Sequence, residues 1–206
     1  MSHPYRLKEL TPAAAAHALR ERPRLLVPAG ALESRGPHLP LGCDTLILDR
    51  LAADVSAATG VLVAPTVEFG VHSSRDETCP GLASLSRKTL HRTMNELIAA
   101  WETQAKVRQV FILTAHAADA HQEALSTIRA VGTVSLIDIF NLDFSDLGID
   151  PGRPIHGGEI DTSIVLFLYP PLVAWDRIPA RLEASATQGE RFYRRIVERV
   201  VASVGS

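Results

Sequence analysis

The residue types that could do chemistry in this chain gather in a few short segments. One reads Gly30-Ala-Leu-Glu33-Ser-Arg35-Gly-Pro-His38-Leu-Pro-Leu-Gly-Cys-Asp44. Its carboxylates and histidine sit on a stretch punctuated by Gly36, Pro37, Pro40 and Gly42, which can turn them toward one point. Carboxylate oxygens with imidazole nitrogens are a donor set for Zn, Mn or Fe. A second segment, Ile112-Leu-Thr-Ala-His116-Ala-Ala-Asp119, ends an apolar run in a histidine, with His121 just beyond. A third is His156-Gly-Gly-Glu159-Ile-Asp161-Thr-Ser163, and His72, Arg75, Asp76 and Glu77 form a fourth. Each also has a plain structural reading. Asp44 precedes a helical pattern and can be its N-cap, and Glu33 can be a solvated loop charge. His116 can be a hydrogen-bonded structural residue, and Glu159 and Asp161 can be first-turn acids favoured by a helix dipole.

The elements around these segments alternate. Residues 24–29, 61–67, 109–114 and 133–140 are short, almost continuously apolar runs, the look of strands covered on both faces of a parallel sheet. Residues 45–59, 88–106 and 120–131 have helical spacing, with Leu46, Leu48, Leu51, Ala52 and Val55 on one stripe and Leu90, Met94, Leu97, Ile98 and Trp101 on another. Further helices are expected over 11–20 and about 186–204. The alternation predicts a three-layer α/β/α sandwich with a mostly parallel sheet, as a single domain over residues 1–206. Ligands of such sheets bind beyond the carboxyl ends of the strands. The polar segments fall there.

In order and spacing, the first segment resembles the creatininase family's Gly-Ser-Leu-Glu-x-His-Gly-Pro-His-Leu-Pro-Leu-x-x-Asp motif almost residue for residue. Residues 112–119 look like that family's strand ending in Asn-Gly-His-Gly-Gly-Asn, and 156–163 are similar to its His-Ala-Gly-x-x-Glu-Thr-Ser motif. Phe69-Gly70 and Cys79-Pro80-Gly81-Leu82-Ala-Ser-Leu85 fit its aromatic-Gly and Phe-Pro-Gly-Thr-x-Ser-Leu elements, so the resemblance runs from about residue 25 to 171. It implies a creatininase-like sandwich, usually assembled into hexamers, a site for two divalent metals, and hydrolysis or ring opening of small amides. It implies further that Glu33 and His116 bind one ion, that Asp44 bridges two, and that His156 moves or orients a proton beside the substrate. Asp161 would take the place of the acidic residue of the last motif.

The departures from the pattern are chemically specific. Arg35 occupies the position of a family histidine that binds the second ion, and a guanidinium is donor-only and permanently charged. Ala118 stands where some members supply a carboxylate to that ion. Arg75-Asp76 stands where a Glu-His pair is common. The expectation is one tightly bound divalent ion per chain on Glu33, Asp44 and His116. Arg35 then either replaces the second ion electrostatically, stabilising an oxyanion or a substrate carboxylate, or fills its place in a salt bridge to Asp44 or Asp76. The candidate catalytic residues are His156, Glu159, Asp161 and Arg35. The candidate substrate-binding residues are Arg35, His38, His72 and Asp119. Three functions remain open: an amidohydrolase, a catalytically inactive binding or assembly subunit, and a metal-assisted lyase or isomerase.

Composition limits the partners. The formal net charge is -2 with no dense Lys/Arg run, so no nucleic-acid or acidic-membrane footprint is expected. The start, MSHPYRLKEL, has no apolar run behind a basic segment and is not read as a secretory signal. The apolar stretch 164–175 is too short to span a bilayer and is broken by Pro170 and Pro171. Cys43 and Cys79 exclude a disulfide scaffold and suit a reducing cytoplasm, as small buried hydrophobes. A small amide substrate and a homo-oligomer, a hexamer by resemblance, complete the expectation.

Overall fold

The computed structural model describes residues 5–72, 79–142 and 156–205. Four parallel strands, β1 (Arg24–Pro28), β2 (Leu62–Val63), β3 (Gln109–Thr114) and β4 (Thr133–Asp138), form one sheet in the order β2-β1-β3-β4. Each crossover carries a helix, as parallel pairing requires. The helices are α1 (Pro12–Glu21), α2 (Cys43–Thr59), α3 (Arg87–Ala105), α4 (Asp119–Ser126), α5 (Glu159–Leu168) and α6 (Ala186–Gly205).

Strand alternation builds the three expected layers. Leu26, Phe111, Leu113 and Ile137 face α2, α5 and α6, where Ile47, Leu51, Ile164, Ile196 and Val200 close one core. Leu25, Val27, Val110 and Ile112 point the opposite way, onto Leu19 of α1, Leu90, Met94 and Ile98 of α3, and Leu125 of α4. Both faces of the central strands are therefore dry, which explains their unbroken apolar sequence.

The boundaries differ from expectation where polar chemistry interrupts the pattern. The run 61–67 pairs only over Leu62–Val63, because Pro65 has no N–H to give the ladder; contact resumes as a single bridge between Ala29 and Val67. Residues 133–140 stop as a strand at Asp138, whose Oδ1 accepts from Phe140 N and turns the chain. Helix α4 ends at Ser126, five residues short of the expected end, where both the amide and the hydroxyl of Thr127 bond to the Glu123 carbonyl. Cys43 is buried and Cys79 half-buried, both as free thiols. No described helix is long and apolar enough to cross a membrane.

Candidate metal centre

The carboxyl ends of β1 and β3 bring Glu33, Asp44 and His116 together. Their donor atoms lie within 4.8 Å of one another, and all three side chains are buried. Glu33 comes from the loop after β1, Asp44 from the first turn of α2, and His116 from the two residues beyond β3. His116 Nδ1 is 2.9 Å from Glu33 Oε1 and 3.3 Å from Asp44 Oδ2. Donors around one tetrahedral Zn stand about 3.3 Å apart, so these spacings already suit a shared ion. The other ring nitrogen, Nε2, donates to the Val71 carbonyl at 2.8 Å. That bond turns Nδ1 toward the carboxylates, where its lone pair becomes available once its proton is displaced, the arrangement that orients a ligand histidine. Neither oxygen of Asp44 accepts an aligned hydrogen bond from a described residue. A buried carboxylate in that state fits a cation.

Arg35 is 2% exposed and reaches into the same cluster. Its Nη2 lies 2.6 Å from Asp44 Oδ1 and 3.3 Å from Glu33 Oε1, and donates to the Ala115 carbonyl at 2.7 Å. Nη1 donates to Asp161 Oδ2 at 2.9 Å, and the guanidinium carbon lies 5.8 Å from the centre of the Phe140 ring. Three carboxylates thus share one guanidinium, leaving two formal negative charges over. One divalent ion neutralises that excess. A second would leave two positive charges unpaired and would stand against the guanidinium, a repulsion of about 8 kcal/mol at ~4 Å and an effective dielectric of ~20. The three donors fit an ion, and the charge balance favours one over two.

The charges set the protonation states. Burial by itself would raise the pKa of Glu33, but hydrogen bonds from His116 and His156 and the Arg35 charge outweigh it and hold the carboxyl below the usual range. Burial disfavours the His116 imidazolium, yet Asp44 and Glu33 overcome this and lift it to about 9. A proton therefore holds the donor position in the metal-free protein at neutral pH, and an ion has to displace it. Apparent metal affinity is expected to rise about tenfold per pH unit from pH 7 to about 9 and then level off. Titration calorimetry in buffers of different ionisation enthalpy should show about one proton released per ion at pH 7; no buffer dependence would contradict the displacement.

The remaining sequence candidates divide. A cleft of about 760 Å³ opens over the centre, with His38, His72, Asp119, His156 and Phe140 among its lining residues. His156 is brought in by Gly157, which has φ +64° and lies so close to the Arg35 carbonyl that a Cβ there would be 2.7 Å from the oxygen. The His156 side chain is 54% exposed, with Nδ1 3.4 Å from Glu33 Oε1 and Nε2 donating to the Ser34 carbonyl at 2.9 Å. The bond to Glu33 raises its pKa against the opposing effect of burial. His38 is buried, with Nε2 2.9 Å from Thr162 Oγ1. Asp161 is fully buried and does not line the cleft; it ties Arg35 to Gly157 N. Glu159 is not brought to the centre: Gln188 of α6 donates to its Oε1 at 3.0 Å. Arg75, Asp76 and Glu77 lie outside the described residues. Sequence reasoning gave no role to the carbonyls of Val71 and Ala115, to Phe140, or to Gln122, which donates to the His116 carbonyl at 2.6 Å. Main-chain acceptors leave no residue-type signal.

The creatininase family model, described as creatinine amidohydrolase, matches residues 8–204. The chain belongs to that family. It is 28% identical over 177 residues to the creatinine amidohydrolase of Pseudomonas putida, covering 75% of this chain and 67% of that protein. It is also 28% identical over 172 residues to the mycofactocin precursor peptide peptidase of Mycobacterium ulcerans, covering 77% and 63%. The matched part thus spans about two thirds of these relatives' length. A solved creatininase structure with manganese superposes with a TM-score of 0.81 at 22% identity, over 98% of this chain and 97% of that one.

Proposed function

We propose that this protein is a metal-dependent amidohydrolase that cleaves the C–N bond of a small or cyclic amide with one divalent ion, Zn, Mn or Fe, held by Glu33, Asp44 and His116. The observation that carries the reading is the convergence of these three buried donors at a cleft that Glu33 and His116 line. Two of the matched relatives are named as an amidohydrolase and a peptidase, and a third as a 3-dehydro-scyllo-inosose hydrolase. When bound, such an ion polarises the amide carbonyl and lowers the pKa of water.

The chain's own residues do the rest. Val71 and Gln122 orient His116, and Arg35 with Asp161 keeps the cluster near charge balance. His156 faces the cleft with Nδ1 3.4 Å from Glu33 Oε1 and, in its protonated form, delivers that proton to the departing nitrogen. His38, His72 and Asp119 supply polar groups for the substrate along the walls. Incubation with a panel of cyclic and linear amides in 18O water, before and after chelation, tests this. One substrate hydrolysed with label in the product, and only with metal present, supports it; turnover without label would indicate a lyase or isomerase. His156→Ala is expected to lower turnover about 10²–10⁴-fold with metal content unchanged, and loss of the metal with the activity would make His156 a ligand instead.

One observation favours a second reading, an inactive binding or assembly subunit. Arg35 is already paired with Asp44 at 2.6 Å, in competition with an ion. Elemental analysis showing no metal after loading would decide for that reading.

A further inference from the structure

Beyond the three ligands, His121 occupies an unusual place. It lies on α4, fully buried, with its ring edge-on to His116 at 4.8 Å between centroids and 85° between planes. Its Nδ1 accepts from the main-chain N–H of Val71 at 3.3 Å. An accepting Nδ1 carries no hydrogen, so in the neutral ring the proton is on Nε2, which lies 3.2 Å from Thr114 Oγ1 and donates to it. That hydroxyl oxygen also accepts from His116 N at 3.3 Å. The Val71 carbonyl, at the other end of the same residue, is the acceptor of His116 Nε2.

The approach that makes this possible depends on Gly70. A Cβ there would stand 2.6 Å from His121 Nδ1 and 2.6 Å from the Gly30 carbonyl. Only a residue without a side chain lets the main chain run flat against the imidazole. The side chain of His121 therefore holds both the main chain entering His116, through Thr114, and the carbonyl that accepts from His116 Nε2 and so orients the ring.

We propose that His121 is a positioning residue for the metal site: by anchoring the Val71 main chain it fixes the His116 ring with Nε2–H on the Val71 carbonyl and Nδ1 facing Glu33 and Asp44. The inference rests on those residues binding an ion. It assigns to His121 no contact with metal or substrate. Its effect travels through one residue, Val71, and one hydroxyl, Thr114.

The test compares the full-length protein with His121→Phe, which keeps the ring and loses both polar atoms, and His121→Asn, which returns an acceptor near the Nδ1 position. Co(II) affinity is measured by competition with a chelator, and melting of the metal-free proteins is measured alongside. His121→Phe is expected to bind Co(II) about 10–100-fold more weakly. His121→Asn should recover most of that loss even though its smaller side chain packs less well and melts no higher. Wild-type affinity in His121→Phe, or an equal loss in both variants, would overturn the relay, because affinity would then follow packing alone. If His121→Phe does not fold, nitrogen spectra of the metal-free wild type with labelled histidine decide: a neutral His121 protonated at Nε2 is expected, and protonation at Nδ1 overturns the proposal. Absence of Co(II) uptake by the wild type would sink the metal reading, while the tautomer of His121 would still answer for the relay.

Discussion

Wild-type protein equilibrated with excess Zn or Mn is expected to carry one ion per chain, and Arg35→His two, with the second held more weakly. The expectation follows from the charge count. Glu33, Asp44 and Asp161 all lie within ion-pair distance of Arg35, so the guanidinium stands where a second cation would otherwise share Asp44. An imidazole in its place removes the positive charge and adds a ligand nitrogen. The second ion remains weak because Ala118, in the cleft wall, offers no carboxylate. Removing the cation without replacement has the opposite sign. Arg35→Ala leaves buried Asp161 without a counter-charge and Glu33 and Asp44 with His116 between them, a loss of about 3–5 kcal/mol. Melting should fall by roughly 10 °C for a chain of this size, and millimolar divalent metal should restore much of it. Elemental analysis and thermal melting of the three proteins, treated alike, measure this. Two ions in the wild type would refute the argument and place Arg35 outside the cluster.

Asp44→Asn is expected to abolish metal binding and lower hydrolysis about 10³-fold or more. Asp44 faces His116 Nδ1 with one oxygen and Arg35 with the other. An amide at this position offers a weak neutral donor to the ion and points hydrogens at groups that need acceptors. Several kcal/mol of Lewis-acid stabilisation disappear with the ion, and ~4 kcal/mol is about a thousandfold in rate. His116→Ala should match it in metal loss while leaving the Arg35 pairs intact. Far-ultraviolet circular dichroism should be unchanged in both, because neither core face includes these side chains. Retention of metal by either variant would remove that residue from the ligand set.

The sheet was legible because both of its faces are dry: continuous apolar runs such as 109–114 have few other readings, and β3 forms over those residues. The ends of elements were less so. Nothing in the period of residues 61–67 announces that Pro65 leaves a two-residue strand, since the missing N–H matters only once β1 lies alongside. Among the site residues, Glu33, Asp44 and His116 were readable as types able to bind metal beyond the ends of two strands, β1 and β3. What Arg35 does in the place of the second ion was left open between two readings, electrostatic replacement and a salt bridge to Asp44 or Asp76. The choice depends on Asp161, which the sequence offered as a proton shuttle and the structure buries as a counter-ion. Glu159, two residues earlier on the same helix, has the same chemistry and points to α6. Helical phase separates the two acids; composition does not.

The pairing of Arg35 with Asp161 has a consequence for how the protein is made. The two residues are 126 positions apart. At ordinary elongation rates of ~5–20 residues per second, between roughly 6 and 25 s pass after Arg35 is synthesised before its partner exists. During that interval the β1 loop holds an arginine bound for the interior with only Glu33 and Asp44 to balance it. A nascent chain stalled or truncated before α5 would expose that loop, with its two acids and one base, to any cation or chaperone in reach.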